Sequence, residues 1–450
     1  MNVKIVLLVE FTFATISYVA GILTRPITEE PNFGCQWHGG GMGSTLACDC
    51  LPEAEVFYLR ENSISSVDLS AIHLSNCNAV VFDSNAVRRI RGLREVQLNG
   101  IKNLTLEESG LAWEGYVSSI DINTPTLQIS IRDSYIHQIS SYTFSGRISR
   151  ITFENVVIAQ ILPFAFSSLV QSQRIAFSNM TAEHVQAQAF KKFTTGQLTI
   201  SNSNMTYLPS RSFSEVTVTE NLLISNSSFG TIKSGAFLIY NPNRFEVTDS
   251  KFDVLEGEAF RVTTKGDALF RNVHFNTSYP SAFVGISVNL AETSTRKTIT
   301  FSSPIFETFE VDALRINRTS FDLKLVNVCV KWSCDCDTMS SAFENIDQIE
   351  ELNCVLDDSY TNYQEFRNTS CILFASNATV IIAICVTLIL LLILGIALWC
   401  FFKKAYRCDK YGGEKDKKKK LSMIVPDGRT YRETELHVIV ERTDLLTTDL

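Results

Sequence analysis

The 450-residue sequence predicts a stacked repeat solenoid tied to a membrane by one helix. Three observations carry that expectation. From Ile129 onward one phrase recurs: apolar, x, apolar, x, Asn or Asp, then two further apolar positions, then a small residue and Phe. It starts at Ile129, Ile151, Ile175, Leu198, Leu222, Phe245 and Ala268. Its closing aromatics, Phe144, Phe166, Phe190, Phe213, Phe237, Phe260 and Phe283, stand 22 to 24 residues apart. A fixed period in the twenties means stacking, because one such unit cannot bury its apolar side alone. The second observation is a stretch from Ala378 to Phe402 without a charged side chain. At about 1.5 Å per helical residue it crosses a hydrocarbon core of roughly 30 Å. Third, nine of the twelve cysteines precede that stretch and cluster at the two ends of the repeats.

Residues 1–21 read as a secretory signal, with Lys4, an apolar run from Ile5 to Val19, and small Ala20 and Gly21. Secretion places the cysteines in an oxidising compartment, where clusters at both ends suggest disulfide-locked caps. Residues 22–56 form the expected N-terminal cap, with Cys35, Cys48, Cys50 and the more distant Cys77 as disulfide cysteines of open pairing. The C-terminal set is Cys329, Cys334, Cys336, Cys354 and Cys371. Nine is odd, so one thiol is left over or bridges two chains. Cys329 is the candidate, as a homodimer link or as a buried free thiol. Zinc at Cys334-Asp335-Cys336 is not expected, since no histidines lie near.

Within a unit, the first apolar residue is position 0. Apolar side chains then recur at 2, 7 and 10, and the unit closes at 14 and 15. Ile151, Phe153, Ile158, Ile161, Ala165 and Phe166 show the pattern. Alternation at 0 and 2 predicts a short strand with one buried face. Position 4 is Asp133, Asn155, Asn179, Asn202, Asn226, Asp249 and Asn272. Such side chains suit the point where a chain leaves a strand.

The phrase resembles the typical animal extracellular leucine-rich repeat, L-x-L-x-x-N-x-L-x-x-L followed by a small residue and Phe. It extends upstream through Phe57, Leu59, Asn62, Ile64 and Val67, and through Val80, Phe82, Asn85, Val87 and Ile90. Downstream it reappears at Ile299, Phe301, Phe306, Phe309, Ala313 and Leu314, so residues 57–315 are covered. The resemblance implies an α/β repeat solenoid with parallel strands on a concave face. It also implies a C-terminal cysteine cap over 316–371 in which the first and third, and second and fourth, cysteines pair: Cys334 with Cys354, Cys336 with Cys371. The sequence departs from the family at position 5. The usual Asn survives at Asn62 and Asn85 but is elsewhere Ser134, Val156, Met180, Ser203, Ser227, Ser250 and Val273. The family's buried asparagine ladder is thus largely missing, and serine hydroxyls are the expected substitutes.

In that family the side chains between buried strand positions face outward. Position 3, with Arg132, Glu154, Ser178, Ser201, Ser225, Thr248 and Arg271, is therefore the expected partner-binding row; a merely solvated sheet is the alternative. Sequons at Asn103, Asn179, Asn204, Asn226, Asn276, Asn317 and Asn368 are expected glycosylation sites. Asn377 also heads a sequon but abuts the bilayer and is expected to stay unmodified. If Asn179 and Asn226 are occupied, glycans flank the middle of the row and push a partner towards an end or the convex side.

After a linker, 372–377, and the membrane helix, 378–402, Lys403, Lys404 and Arg407 begin a basic strip that places the tail, 403–450, in the cytoplasm. This is a type I arrangement, with the plasma membrane as the expected site. The strip suits anionic lipid. The tail carries only linear signals: Thr448 and Leu450 fit a PDZ ligand that adds as a strand to a scaffold's sheet. Glu441, Leu445 and Leu446 have the spacing of an acidic dileucine signal for a sorting adaptor, and Cys400 and Cys408 flank the inner membrane face as palmitoylation candidates.

The net charge of −8 and its distribution give no sign of a nucleic-acid partner. The ectodomain histidines are scattered without metal spacing, and no phosphate loop or nucleophile elbow is present. No cofactor, metal or catalytic residue is expected. The combined expectation is a non-catalytic cell-surface protein that binds another protein, as an adhesion molecule or co-receptor. Two other classes remain: a membrane organiser anchored by the PDZ peptide, and a parallel β-helix enzyme acting on polysaccharide. The enzyme needs stacked acidic side chains on one face, and the two outward rows, position 3 and the position 1 row from Ser130 to Leu269, offer only Glu154 and Glu246.

Overall fold

The computed structural model describes residues 33–39, 43–61, 63–64, 69–115, 125–170, 172–289, 295–310, 312–336, 348–349 and 351–408. The chain divides into two units, Met1–Ala375 and Ser376–Leu450. The first is a parallel β-solenoid of about 12 turns.

Three faces are built of strands. The first face starts with Ser44–Asp49, Leu69–Ser75, Glu95–Asn99 and Leu127–Arg132 and ends with Lys297–Ser302, Phe321–Val326 and Gln348–Ile349. The second runs from Phe57–Leu59 and Val80–Phe82 to Val328–Ser333 and Leu352–Leu356. The third is shorter, from Phe144–Gly146 and Phe166–Leu169 to Phe260–Thr264 and Ser287–Val288. In the earlier turns the third side holds the buried Trp113, whose Nε1–H donates to the Ile90 carbonyl at 2.9 Å. Gly146 passes so close that a Cβ there would lie 2.2 Å from the Trp113 carbonyl oxygen, at a φ of 89°.

The stacked solenoid is as expected, while the α/β, leucine-rich-repeat-like character is not shown. Among the described residues no helix lies within a turn; positions 5 to 18 form two further strands. The physical reason is length and composition. A corner at position 13 cuts this stretch into pieces of a few residues, rich in Ser, Thr, Val, Ile and Phe. Such pieces are far below the length at which a helix sustains itself, and their residues suit a pleated surface. The expected boundaries also move. Parallel pairing is already present at Ser44–Asp49 and continues past residue 315, so parts of both expected caps are solenoid.

Register explains the core. Each of the seven closing phenylalanines lies over the next, with ring centroids 4.6, 4.6, 4.3, 5.0, 5.2 and 6.4 Å apart from Phe144 to Phe283. A second stack runs through Phe229, Phe252, Phe275 and Phe306 at 5.2, 5.4 and 5.0 Å. Positions 0, 2 and 7 are buried in all seven units, beginning with Ile129, Ile131 and Ile136.

Two corners recur in left-handed backbone. At position 4 the seven Asn or Asp residues have φ between 46° and 55°, a region these two side chains tolerate better than other non-glycine residues. At position 13 the residues are Tyr142, Phe164, Gln188, Arg211, Gly235, Glu258 and Ser281, with φ between 55° and 64°. Each of the seven N–H groups donates to the carbonyl of its counterpart one turn on, as Gln188 does to Arg211 at 2.8 Å. Interturn bonding, not side-chain preference, fixes this second corner.

The serine substitution at position 5 is structural. The buried Ser203 hydroxyl accepts from the Met180 N–H at 3.2 Å and donates to the Ser201 carbonyl at 2.7 Å. Ser227 repeats the pattern with Ser203 and Ser225, at 3.1 and 2.7 Å. Ser250 does so with Ser227 and Thr248, at 3.2 and 2.7 Å. Each hydroxyl satisfies an inward N–H at the corner, which the family's asparagine would otherwise do.

Both ends are covered by antiparallel strands and disulfides. Cys35–His38 pairs with Ser44–Asp49, and Cys35–Cys48 and Cys50–Cys77 tie the first turns. At the other end Ser359–Asn362 folds back on Leu352–Leu356. There Cys334 pairs with Cys354 and Cys336 with Cys371, as the resemblance implied. The strand left at each of these edges is only 4 residues long, and so short an edge recruits another chain poorly.

The second unit contributes an apolar stretch, Val380–Lys403, of mean hydropathy 3.3, within the helix Ile372–Cys408. It is one helix long and apolar enough to cross a membrane. The expected linker at 372–377 is already helical.

Two measurements check the packing. Phe213→Ala removes a fully buried ring stacked on Phe190 and Phe237, and is expected to cost about 3–5 kcal/mol in urea unfolding; a loss under about 1 kcal/mol contradicts the stack. Ser227→Ala strands the Ser203 N–H, with an expected cost of about 1–3 kcal/mol. Ser225→Ala, on the outward row, should stay within about 0.5 kcal/mol. Equal effects of the two serine changes would remove the ladder's role.

Candidate interaction surfaces

The strand pairing brings all seven position 3 residues together. On the first face Arg132 stands opposite Glu154, Glu154 opposite Ser178, and Ser178 opposite Ser201. The row continues through Ser225 and Thr248 to Arg271. Arg132, Glu154 and Arg271 are exposed, while the hydroxylated middle is half-buried. Arg132 Nε lies 3.1 Å from Glu154 Oε2, with both side chains about half exposed. Such a pair adds little stability in water and leaves both charges available.

The adjacent corner between the first and second faces carries a polar ladder. Asn155 donates from Nδ2 to Asp133 at 2.9 Å, and Asn179 to Asn155 at 2.7 Å. Asn226 donates to Asn202 at 2.6 Å and Asn272 to Asp249 at 2.9 Å. An open groove of about 500 Å³ follows this corner, lined by Asn202, Asn226, Asp249 and Asn272, by the ladder serines, and by Lys251 and His274.

The sequons fall unevenly. Asn179 and Asn226 are in the ladder, Asn204 and Asn276 are in second-face strands, and Asn103 directly precedes one. Asn317 lies between Ile305–Phe309 and Phe321–Val326, and Asn368 in the turn Arg367–Cys371. Among the described residues none lies in a third-face strand.

Further along the second face, Glu307 Oε1 accepts from Lys331 Nζ at 2.6 Å and lies 2.7 Å from His274 Nε2. The Lys331 hydrogen bond, aided by His274, holds the Glu307 carboxyl below the ordinary range against its partial desolvation. Glu307 in turn raises Lys331. Cys329, in Val328–Ser333, lies between Ile305 and Asn353 of the neighbouring turns and is half-buried. Burial pushes its thiol up, opposed by a weak contact from Asn353 Nδ2 at 4.0 Å.

Cys385 and Cys400 are unpaired and exposed on the apolar helix, where Lys403 Nζ sits 4.7 Å from the Trp399 ring centre. Cys408 ends that helix. The secretory signal at 1–21, Asn62, and the tail signals Glu441, Leu445, Leu446, Thr448 and Leu450 lie outside the described residues. Among the described residues no group of three or more His, Cys, Asp or Glu side chains is placed to hold a metal ion.

The sequence missed two surface features. The corner at position 13 has no residue signature beyond Gly235, and the ladder's partners become visible only once turns are in register. Comparison with protein-family models and with curated proteins found no match.

The Glu307 cluster has a signed pH dependence. A depressed carboxyl contributes stability that is present above its unfolded pKa, about 4.3, and is lost as pH falls through the folded value. The raised Lys331 contributes below its unfolded pKa, about 10.4, and its share is lost as pH rises through the folded value. Between these limits the pair is intact. Glu307→Gln is therefore expected to flatten the stability profile below about pH 5 in urea titrations; a profile identical to the parent's would show that the pair contributes nothing.

Proposed function

We propose that this chain is a membrane-anchored extracellular solenoid that binds a protein partner through outward side chains of its strands, without catalysis. The observation that carries the reading is the in-register row from Arg132 to Arg271 on a disulfide-capped solenoid, combined with one apolar helix. A repeat surface of this kind presents the same position at every turn, which suits an extended protein ligand. Disulfides on both sides of the solenoid agree with an oxidising compartment. The basic residues after Phe402 support a cytoplasmic tail and a type I orientation at the plasma membrane. The role is then that of an adhesion molecule or co-receptor, with the tail reaching PDZ scaffolds through Thr448 and Leu450 and a sorting adaptor through Glu441, Leu445 and Leu446. Kinship with animal extracellular leucine-rich repeat proteins is part of the proposal. It is supported by the repeat phrase and the C-terminal cysteine pairing, and opposed by strands in the second half of each unit, where the α/β class implies helix. Cys329 is read as a free thiol rather than a link to a second copy, because it is half-buried between the neighbouring turns at Ile305 and Asn353 and burial raises its pKa, which lowers the thiolate fraction needed for exchange.

One observation favours a second reading. Three strands per turn is the architecture expected of the parallel β-helix enzyme that acts on polysaccharide. Its carboxylate cluster is what the outward rows lack, since Glu154 and Glu246 lie four turns apart and each is paired with arginine.

A binding screen of the solenoid, residues 22–371, against cell-surface proteins separates the two. The proposal expects a protein partner whose affinity falls at least about tenfold, or about 1.4 kcal/mol, when Arg132 and Glu154 are both changed to Ala. Release of sugar from polysaccharide with no protein partner would reverse the choice.

A further inference from the structure

We infer that Asn179 and Asn226 carry N-linked glycans without giving up their ladder hydrogen bonds, and that these sugars close the middle of the corner beside the binding row. The inference rests on the extracellular reading above. Both residues head sequons, Asn179-Met180-Thr181 and Asn226-Ser227-Ser228, and both are exposed. Each is also the last member of a run of ladder bonds. Asn179 donates to Asn155, and Asn226 to Asn202. Among the described bonds nothing donates onward to either: Asn202 makes no bond to Asn179, and Asp249 as a carboxylate has no N–H to give Asn226. A substituent at these two places therefore disturbs no bond arriving from the next turn.

The amide geometry decides the rest. In a stack of parallel amides the carbonyl points one way along the axis and the N–H trans to it points the other, as in a strand. A bond along such a stack uses the trans hydrogen, and Asn179 and Asn226 bond along the stack to Asn155 and Asn202. Glycan transfer joins Nδ2 to the anomeric carbon of an oligosaccharide carried on a lipid diphosphate. The bond from that carbon to the diphosphate oxygen breaks, the diphosphate leaves with the electron pair, and one amide hydrogen departs as a proton. The resulting secondary amide keeps its bulky substituent cis to the oxygen, by about 2.5 kcal/mol. The retained hydrogen is then the trans one, already in the ladder, and the sugar projects outward from the corner.

The two sugars stand two turns apart, roughly 10 Å along the axis at strand spacing. They lie beside Ser178 and Ser225, their chain neighbours in the row, and over the groove lined by Asn202, Asn226 and Asp249. A protein partner then reaches the charged ends of the row, at Arg132 and Glu154 or at Arg271, and not its hydroxylated middle.

The full chain, expressed in secretory cells, supplies the test. Site occupancy is read by mass spectrometry after amidase release of glycans in isotopically heavy water. Occupancy of Asn179 and Asn226 is expected. Glycans on Asn103 and Asn204 with both ladder sites bare would overturn the inference while leaving the extracellular reading intact. No occupied sequon at all would overturn that reading and the inference with it. The hydrogen-bond claim is read separately from thermal midpoints. Trimming with an endoglycosidase to one sugar per site keeps the N–H and should leave the midpoint unchanged. The double variant Asn179→Asp, Asn226→Asp, with no N–H and a carboxylate facing each ladder carbonyl, should melt several degrees lower. An equal drop in the trimmed protein would show that the bond is lost on glycosylation.

Discussion

Everything in this solenoid depends on register: each buried position must lie over its own copy in the next turn. The backbone enforces this through parallel pairing on three faces. Once register is fixed, a phenylalanine at one turn finds a phenylalanine at the next, an asparagine finds an asparagine, and a serine hydroxyl meets the same unsatisfied N–H. The period of 22 to 24 residues between the closing aromatics is the sequence trace of that constraint. Variation within the period is absorbed outside the buried positions, as at 284–297, where the extra residues fall between the third-face strand Ser287–Val288 and the first-face strand Lys297–Ser302.

Register also explains why a substitution at position 5 leaves the stack intact. The corner presents an inward N–H that a buried environment cannot leave unpaired. Asparagine and serine both meet that need, but serine does so with a shorter arm, bonding back to the carbonyl two residues earlier in its own turn. The outward asparagine at position 4 is then released for a separate ladder at the surface. Two ladders run side by side at one corner, a buried one of hydroxyls and an exposed one of amides. The exposed one is where the corner meets solvent.

Much of this was legible in the sequence. Buried positions 0, 2, 7, 14 and 15 follow from apolar periodicity, since Ile151, Phe153, Ile158, Ala165 and Phe166 have no other way to leave water. The corner at Asn155 and its counterparts was legible too, because few residues suit left-handed backbone. What the sequence concealed was the strand character of the second half of each unit. A piece such as Val156–Ile161 has an apolar spacing compatible with either a helical turn or a bent strand, and only pairing with Met180–Val185 of the next turn decides it. The corner at position 13 was hidden for a similar reason: Phe164 and Arg211 carry no local preference for left-handed backbone, and interturn hydrogen bonds impose it. The outward row was legible as a set, because its members share one position, but its charge pairing at Arg132 and Glu154 required the register.

The fold requires strands that close every turn. Circular dichroism of the solenoid, residues 22–371, measures this directly, because the apolar helix is then absent and helical signal has no other large source. The structure predicts a strand-dominated spectrum with almost no helical component. A helical component large enough for one helix per repeat would contradict it, and would restore the α/β solenoid that the repeat phrase first suggested.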